Sequence, residues 1–292
     1  MHLSIVAALF RSAAHLPEFI ERIRNAAAAL VADYEIVLVN DDSDDDSLAV
    51  AMSLADRHRE IRVLDLSRRY GHYETMLAGL RVAKGEHVFL IDSDLEEPPE
   101  LLSSLWAALL ADREVDFAVA CQIVRRRTLF DAGGELFYWI LRRYGHLDVP
   151  PNNLVARLMT RRYVDALVAL RESPVSFDAL CARAGFRYVI VPAEKGTDSP
   201  TTYSLLRRST LFVDALLVYT NLAARAFVFA ALLVILAGSV AWSLSERAFG
   251  YVVICAAGLS CIFAAALCRY AYLVLQEIRY QPARVRQTYP HA

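Results

Sequence analysis

The segment His87–Leu101 reads HVFLIDSDLEEPPEL and joins an apolar run to a dense group of acidic residues. Its first part, His87–Ile91, predicts a short buried strand. Pro98 and Pro99 predict the first turn of a following helix, where proline is favoured. Because similar apolar runs alternate with helical patterns along the chain, the sequence predicts an α/β fold with a mostly parallel sheet and helices on both faces.

This alternation extends over most of the chain before residue 192. Strands are predicted at Ser4–Leu9, Glu35–Asn40, Ile61–Leu66, His87–Ile91, Phe117–Val124 and Tyr188–Val191. Helices are predicted at Leu16–Ala32, Ser47–Arg59, Tyr73–Ala83, Pro98–Leu110 and Arg162–Leu170, with an aromatic helix around Phe137–Tyr144. Val149–Asn153 is predicted to be a loop, and the pattern is less regular after the fifth strand.

Composition excludes some classes of protein. The chain has 292 residues, a formal net charge of -2 and a mean hydropathy of +0.32, which is high for a purely soluble protein. The lack of a domain-wide basic excess argues against nucleic acid as a partner. Its five cysteines form no CxxC pair and indicate neither a zinc site nor a disulfide framework. Met1–Leu9 has no basic segment of a secretory signal, so we expect the amino-terminal part to stay in the cytoplasm.

Two uncharged apolar runs follow, Ala226–Ser245 and Ala248–Cys268. As a helix, a run of about 20 residues reaches ~30 Å, the thickness of a bilayer core. They predict a transmembrane hairpin, and Ser204–Ala224 before it predicts an amphipathic helix at the headgroups. Positive charges flank the hairpin on both sides, which predicts that both ends face the cytoplasm. These flanking residues are Arg207, Arg208, Arg225, Arg269, Arg279, Arg284 and Arg286.

Acidic side chains follow two predicted strands at the point where each strand ends. Asp41 comes directly after Glu35–Asn40, and Asp92 and Asp94 come directly after His87–Ile91, with Glu96 and Glu97 next. Ligands of open α/β sheets bind beyond the carboxyl ends of the strands, where both groups are expected to meet. Asp-x-Asp at this position is typical of a Mg²⁺ or Mn²⁺ site that also takes substrate phosphates. A solvated acidic turn is the alternative.

The order of these motifs resembles the family 2 glycosyltransferases of GT-A fold, in the branch that glycosylates dolichyl or undecaprenyl phosphate. The resemblance covers nearly the whole chain. It rests on LSIVAALFRS from residue 3, VNDDSDDDS from 39, LSRRYGHYETMLAGL from 66, VFLIDSDLEEPPEL from 88, ARLMTRRYVDAL from 156 and KGTDSPTTYSLLRR from 195. The resemblance implies that Asp41 holds the base or ribose of the donor. It also implies that Asp92 and Asp94 handle the diphosphate through a divalent metal, with Glu96 as a further ligand.

The same resemblance assigns phosphate binding to Arg157 and to Arg125 and Arg127. It implies a metal-dependent, inverting transfer of a sugar from a nucleotide-sugar donor to polyprenyl phosphate at the inner (plasma) membrane, feeding cell-envelope glycans or glycolipids. A homo-oligomer, with a tetramer as one form, is implied as well. The expected division is a cytoplasmic GT-A domain at 1–203, a juxtamembrane segment at 204–224, two transmembrane helices at 225–275 and a cytoplasmic basic tail at 276–292.

Three alternatives stay open on the sequence. A membrane-tethered nucleotidyltransferase also uses paired carboxylates, but it needs a glycine-rich phosphate loop that Ala7–Ser12 does not offer. A catalytically inactive membrane scaffold of the same fold is disfavoured by the intact acidic residues Asp92, Asp94 and Glu96. A processive polysaccharide synthase is disfavoured because two spans form no obvious polymer channel.

Overall fold

The computed structural model describes residues 2–123, 138–170, 176–194, 210, 213–214, 217–218, 220, 222–244, 246–278 and 282–289. The chain divides into two compact units. The first comprises Met1–Ala132, Val149–Thr202 and Gln281–Ala292, and the second comprises Gly133–Asp148 and Tyr203–Tyr280.

The first unit contains a mixed sheet with helices on both faces. Its strands are β1 (Leu3–Leu9), β2 (Tyr34–Asn40), β3 (Ile61–Leu66), β4 (His87–Asp92), β5 (Phe117–Gln122), β6 (Asn153–Thr160), β7 (Tyr188–Ala193) and β8 (Val285–Tyr289). Its helices are α1 (Leu16–Ala28), α2 (Ser47–Arg57), α3 (His72–Val82), α4 (Leu101–Ala111), α5 (Arg161–Ala169) and α6 (Phe177–Arg183). The predicted α/β fold is therefore confirmed.

The strands follow the order β7-β5-β6-β4-β1-β2-β3-β8 across the sheet. Strands β4, β1, β2 and β3 are parallel neighbours, and β5 pairs parallel with β7. Strand β6 is antiparallel to both β4 and β5, and β8 is antiparallel to β3. Each parallel connection passes through a helix, which places the helices on the faces of the sheet. The carboxyl ends of β4, β1 and β2 consequently share one edge.

Both faces of the sheet are buried under helices. Side chains of α1, α2 and α4 pack on one face, and those of α3, α5 and α6 pack on the other. Helix α3 lies directly on β1, because a Cβ added to Gly79 would lie 2.3 Å from Cγ1 of Val6. This close contact, which only glycine permits, holds the amino terminus of α3 at the edge where β4 and β2 end.

Two strands were not anticipated by the sequence analysis. Strand β6 begins at Asn153, inside the predicted loop, and carries Arg157 in its middle, so its pattern lacks the apolar run of a buried strand. Strand β8 lies within residues 276–292, which the sequence analysis assigned to a basic tail. Its sequence VRQTY is polar, as is common for a strand at the edge of a sheet.

The boundaries of several helices also differ from the predictions. Helix α1 ends at Ala28 rather than Ala32, and α2 ends at Arg57 rather than Arg59. Helix α4 begins at Leu101, and the two prolines lie in the turn before it. Helix ends contribute little to the apolar pattern and are set by local hydrogen bonds, so a pattern places them poorly.

The second unit contains two long helices, α7 (Leu222–Leu244) and α8 (Glu246–Ile278), and a helical stretch at 138–145. Within α8, Val252–Leu275 is 24 residues long with a mean hydropathy of 2.1, which suffices to cross a membrane by length and composition. The apolar part of α7, Val228–Trp242, is shorter. The structure thus gives one candidate span among the described residues, where the sequence predicts two.

Helix α8 also continues past the predicted end of the second apolar run at Cys268. Arg269 donates hydrogen bonds from Nε and Nη2 to the carboxylate of Asp214, with Nε 2.8 Å from Oδ1. The Asp214 side chain is 7% exposed. This ion pair gives the buried carboxylate of Asp214 a partner, as buried charges require, and it pairs the one charged residue within Val252–Leu275.

Candidate active site

The two predicted acidic groups meet at one edge of the sheet. Asp92 is level with Ala8 in the pairing of β4 and β1, and Asn40 is level with Leu9 in the pairing of β1 and β2. Asp41 therefore leaves β2 close to where Asp92 ends β4, with only β1 between them. The sequence prediction that these groups lie at the same sheet edge is confirmed.

The turn Asp92-Ser93-Asp94 is held by its central serine. Ser93 is buried, its Oγ donates to the carbonyl of Ala8 at 2.9 Å, and it lies 3.0 Å from Oγ of Ser12. Oδ1 of Asp94 accepts the backbone N–H of Glu96 at 3.0 Å. The carboxyl group of Asp94 is exposed, and the Asp92 side chain is 24% exposed. The serine thus fixes the turn while both aspartates stay accessible to a ligand.

His72, the first residue of α3, faces this turn. Its Nε2 lies 3.4 Å from Oδ1 of Asp92. Gly71 before it has φ +95°, a backbone conformation that glycine adopts without strain, and this lets the chain turn sharply into α3. Burial lowers the pKa of His72, although the carboxylates of Asp94, Glu97 and Asp41 act to raise it. Burial of the ring therefore favours the neutral form of the imidazole beside Asp92.

Asp41 is buried and organises the loop between β3 and α3. Its carboxylate accepts the backbone N–H groups of Tyr70 at 2.7 Å and Gly71 at 2.9 Å. Its own N–H donates to the carbonyl of Leu9 at 3.0 Å. The structure therefore places Asp41 in the wall of the site, where it shapes the loop as well as lining the sheet edge.

Glu97 is a site residue whose role the sequence analysis missed. The side chain is buried, and its two oxygens accept the N–H groups of Val155 at 2.8 Å and Ala156 at 2.7 Å. Burial and then the charge of Asp92 raise the pKa of Glu97 to about 7. Glu97 ties the turn after β4 to strand β6. The sequence around Glu97 did not predict this connection, because the hydrogen-bond partners of Glu97 are backbone groups of a strand that is distant in the chain.

Arg157 lies inside the protein, 2% exposed. Its guanidinium donates to the carbonyl oxygens of Val155 and Leu154, to Oδ1 of Asp178 at 3.0 Å and to Sγ of Cys181 at 3.2 Å. Burial acts to lower the pKa of Arg157, but Cys181 and Asp178 raise it overall. The phosphate contact expected of Arg157 finds no support here, because its guanidinium is buried and forms hydrogen bonds with interior groups that join β6 to α6.

The predicted three-carboxylate metal set is not assembled. Within the described part of the chain, no group of three or more His, Cys, Asp or Glu side chains could hold a metal ion, so Asp92, Asp94 and Glu96 do not form such a group. Two accessible carboxylates still fit a Mg²⁺ or Mn²⁺ ion that completes its shell with water and substrate phosphates. Arg125 and Arg127 lie outside the described residues.

Cationic side chains occupy the loops at the same sheet edge. Arg69 stacks over the ring of Phe10, with Cζ 3.8 Å from the ring centroid, and Arg68 stacks over Tyr70 at 4.1 Å. Arg11 pairs with the carboxylate of Asp44 through two hydrogen bonds, which hold the pKa of that carboxyl well below its usual range, at about 2. Arg68 and Arg69 thus place positive charge in the loop after β3, which the sequence analysis did not assign, whereas the charge of Arg11 is balanced by Asp44.

Comparison with known proteins identifies the family. The model of glycosyl transferase family 2 matches residues 4–164, and the chain belongs to this family. A protein of Mycobacterium tuberculosis (strain CDC 1551 / Oshkosh) that bears the name glycosyltransferase is 36% identical over 258 residues, which cover 87% of this chain and 72% of that protein. The chain is therefore a glycosyltransferase, as predicted, and the nucleotidyltransferase alternative is excluded.

Two further similarities concern the branch and the fold. The undecaprenyl-phosphate 4-deoxy-4-formamido-L-arabinose transferase of Pseudomonas savastanoi pv. phaseolicola (strain 1448A / Race 6) is 28% identical over 250 residues, which cover 80% of this chain and 73% of that enzyme. The crystal structure of mannosyl-3-phosphoglycerate synthase from Rubrobacter xylanophilus superposes with a TM-score of 0.50 at 19% identity, covering 73% of this chain and 71% of that one. The fold is accordingly GT-A-like.

Proposed function

We propose that this glycosyltransferase transfers a sugar from a nucleotide-sugar donor to polyprenyl phosphate at a membrane surface. The observation that carries the proposal is the combination of two elements in one chain. Accessible Asp92 and Asp94 lie at the ligand-binding edge of a family 2 domain, and Val252–Leu275 is long and apolar enough to span a bilayer. The similarity to an undecaprenyl-phosphate sugar transferase supports the same acceptor.

The proposed reaction is a single displacement. An oxygen of the lipid phosphate attacks the anomeric carbon, the bond from that carbon to the diphosphate oxygen breaks, and the nucleoside diphosphate departs with the bonding electrons. The lipid phosphate is already an anion, so its oxygen needs no strong general base. Inversion at the anomeric carbon follows from one displacement without a covalent enzyme intermediate.

Residues of the chain have distinct parts in this proposal. Asp92 and Asp94 would hold a Mg²⁺ or Mn²⁺ ion together with the donor diphosphate. When bound, the cation neutralises charge that develops on the leaving group. Ser93 fixes the turn between the two carboxylates, and His72, whose pKa is lowered by burial, borders Asp92.

The remaining residues act on the donor from the loops. Asp41 would line the pocket for the base or ribose and orient the amides of Tyr70 and Gly71. Preorganised positive charge at the sheet edge, from Arg69 and from Arg125 and Arg127 as the resemblance implies, would stabilise the diphosphate. Arg157 is assigned a positioning role, because its guanidinium holds β6 in place beside the turn.

The proposed location is the inner (plasma) membrane. A polyprenyl tail leaves the bilayer only at a large free-energy cost, so the active site must be held at the interface. We assign this to α8 as a span, to α7 as its partner span, and to residues 204–224 as a segment at the headgroups. The proposed topology keeps the first unit, which is the catalytic unit in this proposal, and both ends of the chain in the cytoplasm, as the flanking arginines favour. A homo-oligomer remains part of the proposal.

The test is a transfer assay with the purified full chain in detergent. Uridine, guanosine and thymidine diphosphate sugars carrying a radiolabel are offered with undecaprenyl phosphate and Mn²⁺ or Mg²⁺, with and without EDTA. We expect one donor to yield a labelled lipid-phosphate sugar, and EDTA to remove at least about 90% of the product. Nucleotide binding without transfer to lipid would contradict the proposed acceptor. The absence of both binding and transfer would favour the inactive scaffold.

A further inference from the structure

The strand at the end of the described chain is attached to the loop that follows β3. Strand β8 pairs antiparallel with β3, with Tyr289 opposite Val63 and Val285 opposite Leu66. The attachment continues beyond the strand, since the N–H of Ser67 donates to the carbonyl of Arg284 at 2.9 Å. The N–H of Ala283 also donates to Oε1 of buried Glu74 at 3.2 Å. Residues 283–289 therefore contact β3, the start of the loop after it and the first turn of α3.

Arg286 of this strand joins two loops of the active-site edge. Its Nη2 donates to Oδ1 of Asp42 at 2.8 Å and to the carbonyl of Ser67 at 2.9 Å. Its Nη1 lies 3.2 Å from Oδ2 of Asp65, whose side chain is 4% exposed. Asp42 belongs to the loop after β2, and Ser67 to the loop after β3. One guanidinium thus bridges both loops.

The two loops meet again at Asp41. This residue directly precedes Asp42, and its carboxylate accepts the N–H groups of Tyr70 and Gly71 in the loop after β3. Asp42 has φ +52°, a left-handed conformation that is uncommon in non-glycine residues but that aspartate adopts more readily than most. Its ion pair with Arg286 connects this residue to strand β8. The arrangement of Asp41 and its two amides therefore depends on a loop spacing that Arg286 maintains.

Charge adds to this dependence mainly through buried Asp65, because the side chains of Arg286 and Asp42 are 49% and 43% exposed and solvent screens their attraction. Asp42 and Asp65 both contact the same guanidinium, so the two carboxylates lie close together with Arg286 between them. Without the arginine, the two carboxylates would repel each other. The buried carboxylate of Asp65 would keep its hydrogen bond from the side-chain amide of Asn40, at 2.9 Å, but would lose the contact with a positive charge. The expected response is movement of the two loops apart.

We propose that Arg286 is a positioning residue for the donor-binding half of the active site, and that strand β8 completes the catalytic unit. The donor role rests on the function proposed above. The arginine touches no reacting group in this proposal. It sets the spacing of the loops after β2 and β3, and thereby the position of Asp41 and of the amides of Tyr70 and Gly71.

The first test measures the loops without any substrate. Hydrogen–deuterium exchange of residues 67–71 is compared in the full-length wild type, Arg286→Ala, Arg286→Lys and the control Arg24→Ala. Arg24 is matched because it also forms an ion pair, with Glu60 at 2.6 Å, but at the start of β3, on the opposite edge of the sheet. We expect about tenfold faster exchange in Arg286→Ala. Arg286→Lys should be intermediate, since lysine keeps the charge but not the two-pronged geometry.

Unchanged exchange at 67–71 in Arg286→Ala would overturn the proposal. Equally fast exchange in Arg24→Ala would also overturn it, because the effect would then reflect a general loss of stability. Both outcomes are independent of the reaction that the enzyme catalyses.

The second test separates positioning of the donor from a purely structural role. In the transfer assay we expect Arg286→Ala to raise KM for the nucleotide sugar about tenfold, with a smaller change in kcat and an unchanged KM for undecaprenyl phosphate. Faster exchange with an unchanged donor KM would overturn the donor role. If the wild type transfers no sugar, the proposed acceptor is wrong, and the affinities of UDP and GDP with Mn²⁺ replace KM as the readout. Equal affinities in wild type and Arg286→Ala would then overturn the proposal.

Discussion

Two charged regions of the catalytic unit differ in the solvent exposure and pairing of their charged side chains. In the turn after β4, Asp92 and Asp94 are accessible to solvent and are held by the backbone and by Ser93. In β6, Arg157 is buried and its guanidinium contacts Asp178, Cys181 and carbonyl oxygens. A charge that keeps its access to solvent can bind a ligand, whereas a buried and paired charge holds elements together. Both regions are rich in charge, but only the exposed side chains are available to bind a ligand, whereas the buried ones stabilise the fold.

The largest expected effect concerns the buried region. Replacing Arg157 with methionine leaves Asp178 without its ion pair in a partly buried site, and breaking a buried pair in this way typically costs about 3–5 kcal/mol. We expect the free energy of unfolding to fall by that amount in urea denaturation of the full chain in detergent. Asp94→Asn serves as the comparison and should change it by less than about 0.5 kcal/mol, as is usual for an exposed position. Equal losses in the two variants would remove the distinction between the regions.

The next effect concerns activity. Asp94→Asn keeps the shape of the turn but removes a charge proposed to act on the diphosphate, and loss of one such preorganised contact typically lowers kcat about 100-fold or more. Initial rates of sugar transfer at saturating donor measure this. Asp165→Asn is the control, because Asp165 is an exposed aspartate paired with Arg161 on α5. Activity of Asp94→Asn equal to that of the control would contradict the proposed role.

The smallest effect concerns Glu97, which connects the two regions. Glu97→Ala leaves the buried N–H groups of Val155 and Ala156 without acceptors, and an unsatisfied buried donor costs about 1–3 kcal/mol. We expect a loss of stability in this range by urea denaturation. Glu97→Gln retains one acceptor oxygen and should lose less. A larger loss in Glu97→Gln than in Glu97→Ala would show that the hydrogen bonds to β6 are not what the side chain contributes.

The parallel part of the fold was predictable because its signals are local. Strands β1 to β5 and β7 appear where apolar runs predicted them, with boundaries that differ by a few residues. Strand β6 escaped prediction because Arg157 interrupts its apolar pattern, and the compensation comes from Asp178, 21 residues further on. Strand β8 was not predicted because a polar edge strand has no apolar pattern, and it is identified only from its pairing with β3.

The candidate site likewise has features that the sequence predicted and features that it did not. The location of Asp41, Asp92 and Asp94 at one sheet edge followed from the alternation of strands and helices, which needs no knowledge of contacts. The roles of Glu97, Arg157 and Arg286 did not follow. The sequence does not show whether a charged side chain will face solvent or contact a residue that is distant in the chain. Arg286, for example, contacts Asp42, which is 244 residues away.

By itself, the sequence determined the α/β fold and the acidic edge through its hydrophobic periodicity, and it indicated the glycosyltransferase class through the resemblance of its motifs to a known family. Periodicity and short motifs are properties of neighbouring residues. Only the tertiary structure decided which charges are accessible and which are used internally. It also decided that strand β8 completes the sheet beside β3 and the loops that follow β2 and β3. Burial and pairing arise from contacts between residues far apart in the chain, and those contacts exist only once the chain has folded.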